Sequence, residues 1–267
     1  MFPRYPEPNG RSKGYLELSR NVIDNPPEFF QRGTRKIAYL AESIEAKRVL
    51  DLACGASPFT KYLKDILGDT VEIVGADINP EILDLAKEYS NGSVDFIEFD
   101  IENPRDIGRF DLVYFLNSFH HFDDPVETLN IIYSLLENPG IFLLADISRC
   151  APYQISESMI GRYLDARKRF LEGEENYKEI GDILGFDVSE ADMLTADSFL
   201  AAYTPEELIK AVEKSPISHG KISAISGLMC FCGVRDSTDS ICVETEKDFF
   251  KIYRKKPDSS LFLPHDF

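Results

Sequence analysis

The chain has 267 residues, 43% of them apolar and 28% charged, and its 29 basic against 46 acidic side chains give a formal net charge of −17. These values exclude a disordered, collagen-like or disulfide-dense chain, and no run approaches the roughly 18 apolar residues that cross a bilayer. So negative a field repels phosphate backbones and anionic lipid, which makes nucleic acid and membrane poor partners.

From residue 47 onward, apolar strands alternate with helical patterns. A short apolar run over 47–52 ends in a turn containing Gly55, and a helix follows over 58–67. A second strand over 71–76 leads to Asn79 as cap, Pro80 in the first turn and Glu81 where the helix dipole favours it. Ile82, Leu83, Leu85 and Ala86 then carry a helical stripe. Strands are expected over 93–99 and 110–116. Asp124-Pro125 opens another helix, with Val126, Leu129, Ile132, Tyr133 and Leu136 at helical spacing. Asn138-Pro139-Gly140 is expected to end that helix, ahead of a fully apolar strand over 141–145. Residues 148–203 contain no convincing strand and are rich in helix formers and aromatics. Thr204-Pro205-Glu206-Glu207 is a strong helix start. Further strands are expected over 228–235 and 248–254, with 222–225 as a competing candidate.

Strands apolar on both faces and separated by helices require a parallel sheet covered on two sides. Right-handed crossovers leave a doubly wound arrangement, and ligands then bind at the carboxyl ends of the strands. The expected organisation is an N-terminal helical lid segment over 1–46, a main domain over 47–257 carrying a helical insertion over 148–203, and a tail over 258–267.

Four blocks after the strands carry the chemistry. In Asp51-Leu52-Ala53-Cys54-Gly55-Ala56-Ser57 a buried strand ends in a carboxylate followed by small residues. A ligand lying against the strand end leaves no room for branching at Cβ. Asp51 can accept a hydrogen bond from an ammonium or an ordered water; the alternative is a tight turn with a capping carboxylate. In Gly75-Ala76-Asp77-Ile78-Asn79-Pro80 the acidic residue ends strand two, where a carboxylate reaches both hydroxyls of a ribose. Asn79 already caps the helix, which leaves Asp77 for another task. Asp100 can accept from an adenine amino group, and the N–H of Ile101 can donate to a ring nitrogen. The fourth block, Asn117-Ser118-Phe119-His120-His121-Phe122-Asp123-Asp124-Pro125, follows strand four directly.

These blocks, in this order and spacing, resemble the class I S-adenosylmethionine-dependent methyltransferases. Asp51–Ser57 looks like the first family motif, Asp77 like the ribose-binding acid, and Asp100-Ile101 like the adenine contact. Residues 117–125 are similar to the strand-four region of the small-molecule branch. The segments 138–146 and 249–257 look like strand five and the last, antiparallel strand. The resemblance covers 47–147 well and 204–257 loosely. It departs from the family in keeping only Gly55 of the glycine-rich turn. It implies a Rossmann-like α/β fold: a seven-stranded, mostly parallel sheet with helices on both faces and a helical insertion after strand five. It also implies S-adenosylmethionine as cofactor, with Asp51, Ala53, Gly55, Asp77, Ile78, Asp100, Ile101 and Asn117 as its contacts, and a small-molecule methyl acceptor. No G-x-G-x-x-G follows any strand, which argues against nicotinamide or flavin.

Of the four histidines, His120 and His121 follow strand four, where the methyl would point, and either is a candidate general base. The alternative is a packing or capping role. The N-terminal stretch with Tyr5, Tyr15 and Phe29-Phe30, together with the insertion, is expected to form a lid over an aromatic-lined acceptor site; a core-thickening or dimerising role is the alternative. Rival functions are a non-catalytic binding or regulatory domain and methylation of a protein side chain or tRNA. The five cysteines, Cys54, Cys150, Cys230, Cys232 and Cys242, have no metal spacing and read as reduced, with no metal implied. The basic clusters around Arg32, Arg167 and Arg254 read as solvated surface. The start of the chain lacks the pattern of a secretion signal, so a cytoplasmic location is expected. Oligomerisation is possible.

Overall fold

The computed structural model describes residues 3–5, 13–25, 28–56, 58–149, 156–217, 219–225, 228–236, 241–246 and 249–254. The expected tail over 258–267 lies outside them, as do Ser57 and Cys150.

At the centre of the sheet lies β1 (Arg48–Leu52), which pairs in parallel with β2 (Glu72–Asp77) and with β4 (Phe110–Leu116). Beyond β2 is β3 (Asp95–Glu98), and beyond β4 is β5 (Leu136–Ile147), both also parallel. The sheet is completed by β7 (Leu228–Arg235), antiparallel to β5, and by β6 (His219–Ile225) at the edge, giving the order β3-β2-β1-β4-β5-β7-β6. Strand order reverses at β1 and β4, so the carboxyl ends of these two strands open a crevice between them.

Alternation along the strands divides the core between two faces. Val49, Ile73, Leu112, Ile141, Leu143 and Cys232 pack with α2 (Glu28–Ser43), α3 (Pro58–Leu67) and α4 (Pro80–Ser90) on one side. Leu50, Val74, Val113, Phe142, Leu144 and Phe231 pack with α5 (Pro125–Leu135) and α9 (Pro205–Glu213) on the other. The helix starts use the caps expected of them. The Asn79 side chain accepts from the Glu81 N–H, the Asp124 side chain from Val126 and Glu127, and Thr204 and Glu207 form a reciprocal capping box.

Two expectations are corrected. Asn138-Pro139-Gly140 does not end the helix: α5 stops at Leu135, and these residues lie inside β5, where the pairing with β4 shifts register between Phe110 and Leu112. The segment 249–254 is not the last antiparallel strand of the sheet. That place belongs to β7, whose doubly apolar sequence suits a buried position beside β5, with Gly140 opposite Arg235 and Ile147 opposite Leu228. The competing candidate over 222–225 is part of β6. Residues 249–254 form β9 (Phe249–Arg254), which pairs with β8 (Ile241–Glu246) in a separate two-stranded sheet.

After β5 the chain forms α6 (Glu157–Leu171), α7 (Tyr177–Leu184) and α8 (Glu190–Ala201), which enclose a small core of their own. Tyr5, near the N-terminus, packs against it. Also N-terminal is α1 (Lys13–Asp24). Among the described residues, no helix is long and apolar enough to cross a membrane, and no cluster of His, Cys, Asp and Glu could hold a metal ion.

Candidate functional site

The turn after β1 meets the end of β2 through one carboxylate. Asp77, buried at the last position of β2, accepts from the Gly55 N–H at 2.9 Å and from the Asn79 N–H at 3.0 Å. Burial raises the Asp77 pKa above its ordinary value, while these N–H groups and nearby His121 act in the opposite direction. The turn makes this contact by passing through left-handed backbone at Ala53 (φ 56°) and Gly55 (φ 59°). Gly55 adopts that conformation without cost, and Ala53 does so under strain.

Asp51 lies at the fourth position of β1. Its carboxylate is buried and accepts the Thr60 hydroxyl from α3 at 2.5 Å, so it ties the strand to the following helix. The buried Tyr114 hydroxyl is held well above its ordinary pKa, by burial first and by Asp51 second. Cys54 is likewise pushed well up by burial, with Asp51 and Asp77 adding to the effect; a thiol so disfavoured as thiolate is chemically quiet.

Beyond the ends of β2 and β3 lies an open cleft of about 460 Å³ lined by Ile78, Asn79, Pro80, Glu81, Glu98 and Asp100. Ile78 is 42% exposed there, an unusual setting for an aliphatic side chain. Asp100 folds its oxygens back into its own turn, accepting from the Glu102 N–H and the Asn103 side chain, both at 2.9 Å. The Ile101 side chain points into the core. Ile78 and Asp100 thus share one rim, and Asp77, next to Ile78 in the chain, ties it to Gly55.

Across the crevice, Asn117 closes β4 in left-handed backbone (φ 59°), and its N–H donates to the Ala145 carbonyl at 2.7 Å. The chain then makes a single 3-10 turn over Phe119–His121. The two histidines are not equivalent: His120 is 1% exposed and His121 lies at the surface, with ring centroids 4.3 Å apart. Asp146 at the end of β5 grips His120 twice, through Nδ1 at 2.7 Å and through the backbone N–H at 2.9 Å.

Sequence reasoning missed three contributors. Asp146 was visible only as the end of a strand. Arg4 reaches the turn from the N-terminus: its guanidinium donates to the carbonyls of His120 (2.7 Å), Phe122 (3.2 Å) and Ala201 (2.6 Å), and pairs with Asp123 at 2.7 Å. It also lies over the Tyr203 ring at 4.5 Å, while the Tyr203 hydroxyl donates to the Phe122 carbonyl. Burial pushes the Tyr203 hydroxyl up to about 12, against the pull of Arg4. The third is Arg167, expected on a solvated face. It is buried in the insertion and paired with Asp197 at 2.8 Å, and Asp197 also accepts the Tyr163 hydroxyl at 2.6 Å. Nothing in a local run of basic residues marks which one turns inward.

Comparisons with known proteins point to one family. The family model described as a methyltransferase domain matches residues 44–182, just over half of the chain. A malonyl-[acyl-carrier protein] O-methyltransferase of Ilyobacter polytropus is 26% identical over 148 residues, covering 54% of this chain and 51% of that protein. A demethylmenaquinone methyltransferase of Deinococcus radiodurans is 34% identical over 121 residues, covering 43% and 49%. The chain thus spans about half the length of these curated relatives. Among solved structures, the plantazolicin methyltransferase BpumL, in complex with a pentazolic desmethylPZN analogue and SAH, superposes with a TM-score of 0.58 at 15% identity. The match covers 85% of this chain and 92% of that one, a likeness of fold.

Proposed function

The chain belongs to the methyltransferase-domain family, and from that premise we propose that it transfers a methyl group from S-adenosylmethionine to a small organic acceptor. The observation that carries the reading is the Asp77–Gly55 contact beside an open, acid-lined cleft. The donor set of the cofactor fits it. Ribose hydroxyls, an adenine amino group and an ammonium all donate, and Asp77, Glu98 and Asp100 all accept. When bound, S-adenosylmethionine supplies an electrophilic methyl on a positively charged sulfur.

The roles of this chain's residues follow from that fit. Asp77 has two oxygens with about four lone-pair positions, and with the backbone N–H groups of Gly55, Asn79 and Ile78 as donors it retains capacity for a ribose hydroxyl. Ile78 offers an apolar surface to the purine, and Asp100 with the Ile101 N–H reads its edge. Ala53 and Gly55 keep the turn thin where the cofactor chain passes, and Asn117 borders the same crevice. Asp51 acts one step back, fixing the turn through Thr60.

Proton removal from the acceptor falls to His120, whose ring is 1% exposed and must be uncovered to meet the acceptor; the His121 ring lies 4.3 Å away, tilted by 50°. The Asp146 carboxylate favours the tautomer with hydrogen on Nδ1 and so makes Nε2 the basic nitrogen. The stretch ahead of α2 and the insertion act as the lid over the acceptor, the N–H of Tyr5 donating to the Leu200 carbonyl at 3.0 Å and joining the two; α2, also within the expected lid over 1–46, instead thickens the core beneath the sheet. Names among the relatives are consistent with a small acceptor, and the acidic surface disfavours tRNA.

Calorimetry with S-adenosylmethionine and S-adenosylhomocysteine tests the reading, followed by an S-adenosylhomocysteine release assay over small phenols, carboxylic acids and amines. Saturable binding that Asp77→Asn weakens, with turnover on one of these classes, is the expected result. No heat with either ligand overturns it, and binding without turnover on any acceptor favours a regulatory domain.

A further inference from the structure

Arg4 is the residue whose contacts no part of the cofactor site explains. Four of its guanidinium hydrogen bonds go to three separate stretches of chain: the turn carrying the histidines, the start of the following loop, and the end of α8. Its side chain is only 14% exposed, so the bonds to the three carbonyls are partly shielded from water, while the Asp123 partner is 67% exposed. Charge-assisted bonds of that kind are stronger than neutral ones. Two of the acceptors, the carbonyls of His120 and Phe122, flank His121. On its other side the turn is held by Asp146, which takes both the ring and the N–H of His120.

We propose that Arg4 is a positioning residue for methyl transfer: from the N-terminal segment it clamps the 119–122 turn against Asp146, and so sets the His120 ring for its proton-accepting task. The inference rests on the reading of His120 given above. A guanidinium suits the task because its planar fork can address two carbonyls from one nitrogen while Nε serves a third. Tyr203 supplies the floor, its ring under the guanidinium and its hydroxyl on the Phe122 carbonyl that Arg4 also uses. The same clamp makes the N-terminal segment part of the reacting site, since one guanidinium ties the turn to the end of α8.

The test compares wild type, Arg4→Ala and Arg4→Lys in the full chain. Nitrogen-15 NMR of the histidine rings reads the His120 Nδ1–H, hydrogen exchange reads the His120 amide, and calorimetry in the same samples reads S-adenosylhomocysteine binding. The wild type is expected to show a slowly exchanging Nδ1–H. In Arg4→Ala that signal is lost, the His120 amide exchanges about tenfold faster, and ligand affinity stays within twofold, roughly the spread expected of an independent site. Arg4→Lys, with its charge but no fork, falls between. A merely structural tie would lower the melting temperature and leave the ring tautomer alone, so an unchanged Nδ1–H signal in Arg4→Ala overturns the proposal. Wild-type protein that shows the signal but binds no S-adenosylhomocysteine gives a different result: it removes the methyltransferase reading, and the catalytic meaning of Arg4 with it.

Discussion

The carboxylate of Asp77 and the backbone N–H of Gly55, 22 residues apart in sequence, meet at 2.9 Å and lock the end of β2 to the turn after β1. Because the carboxylate is buried, this lock titrates. Burial raises the Asp77 pKa above its ordinary value of 3.8, so the group favours folding most when protonated, and that contribution is lost as pH rises through the raised value. Donors from a ribose favour the charged form and act in the opposite sense. Affinity for S-adenosylhomocysteine is therefore expected to rise with pH up to the raised value, with proton release on binding as the pH falls below it. Calorimetry in two buffers of different ionisation enthalpy measures this. Asp77→Asn is expected to flatten the pH dependence and to weaken binding by about tenfold or more, the scale of one hydrogen bond to a charged group; a pH profile identical to wild type would refute the assignment.

Ala53 holds a left-handed backbone that glycine would hold without strain. Relief of roughly 1–2 kcal/mol of strain, partly offset by the freedom glycine gains when unfolded, leaves Ala53→Gly more stable by about 0.5–1 kcal/mol. A thermal melt should rise by about 1–3 °C. A lower melting temperature would show that the methyl packing of Ala53 outweighs its backbone cost.

Gly75 sits where a Cβ would come within 2.5 Å of the Phe96 ring and 3.1 Å of the Cys54 sulfur. Gly75→Ala is expected to cost about 1–3 kcal/mol of stability. Trimming the ring should recover part of that, so Gly75→Ala combined with Phe96→Leu should lose less than the sum of the single changes in urea unfolding. Simple additivity would place the strain elsewhere.

Within the insertion, Arg167 and Asp197 are each about 3% exposed, and Asp197 also anchors the Tyr163 hydroxyl. Asp197→Ala strands a buried guanidinium, at a cost of about 3–5 kcal/mol. Tyr163→Phe removes one hydroxyl and should cost about 1–2 kcal/mol. Protease mapping should place the first cleavages of Asp197→Ala within 156–201; cleavage confined to the sheet would contradict a separate core there.

What the sequence disclosed depended on the range over which each signal acts. Asp77, Asn79, Asp124 and Thr204 were legible because caps and strand ends are local events, read within a few residues. The parallel order of β1 to β5 was legible because doubly apolar runs between helices leave few alternatives. The partners of His120 were not: Asp146 lies 26 residues away and Arg4 116, and both are ordinary polar residues in their own surroundings. Nor could local pattern tell β7 from β9, since both are short, apolar-rich strands and only the pairing with β5 separates them. The inward turn of Arg167 depends on Asp197, 30 residues later on a different helix.

The contacts of the fourth residue also bear on how the protein should be handled. A bulky label attached beside Arg4 would load a guanidinium wedged between the histidine turn and α8. Such a label would strain the joint, and a change measured with it would report on the label more than on the protein.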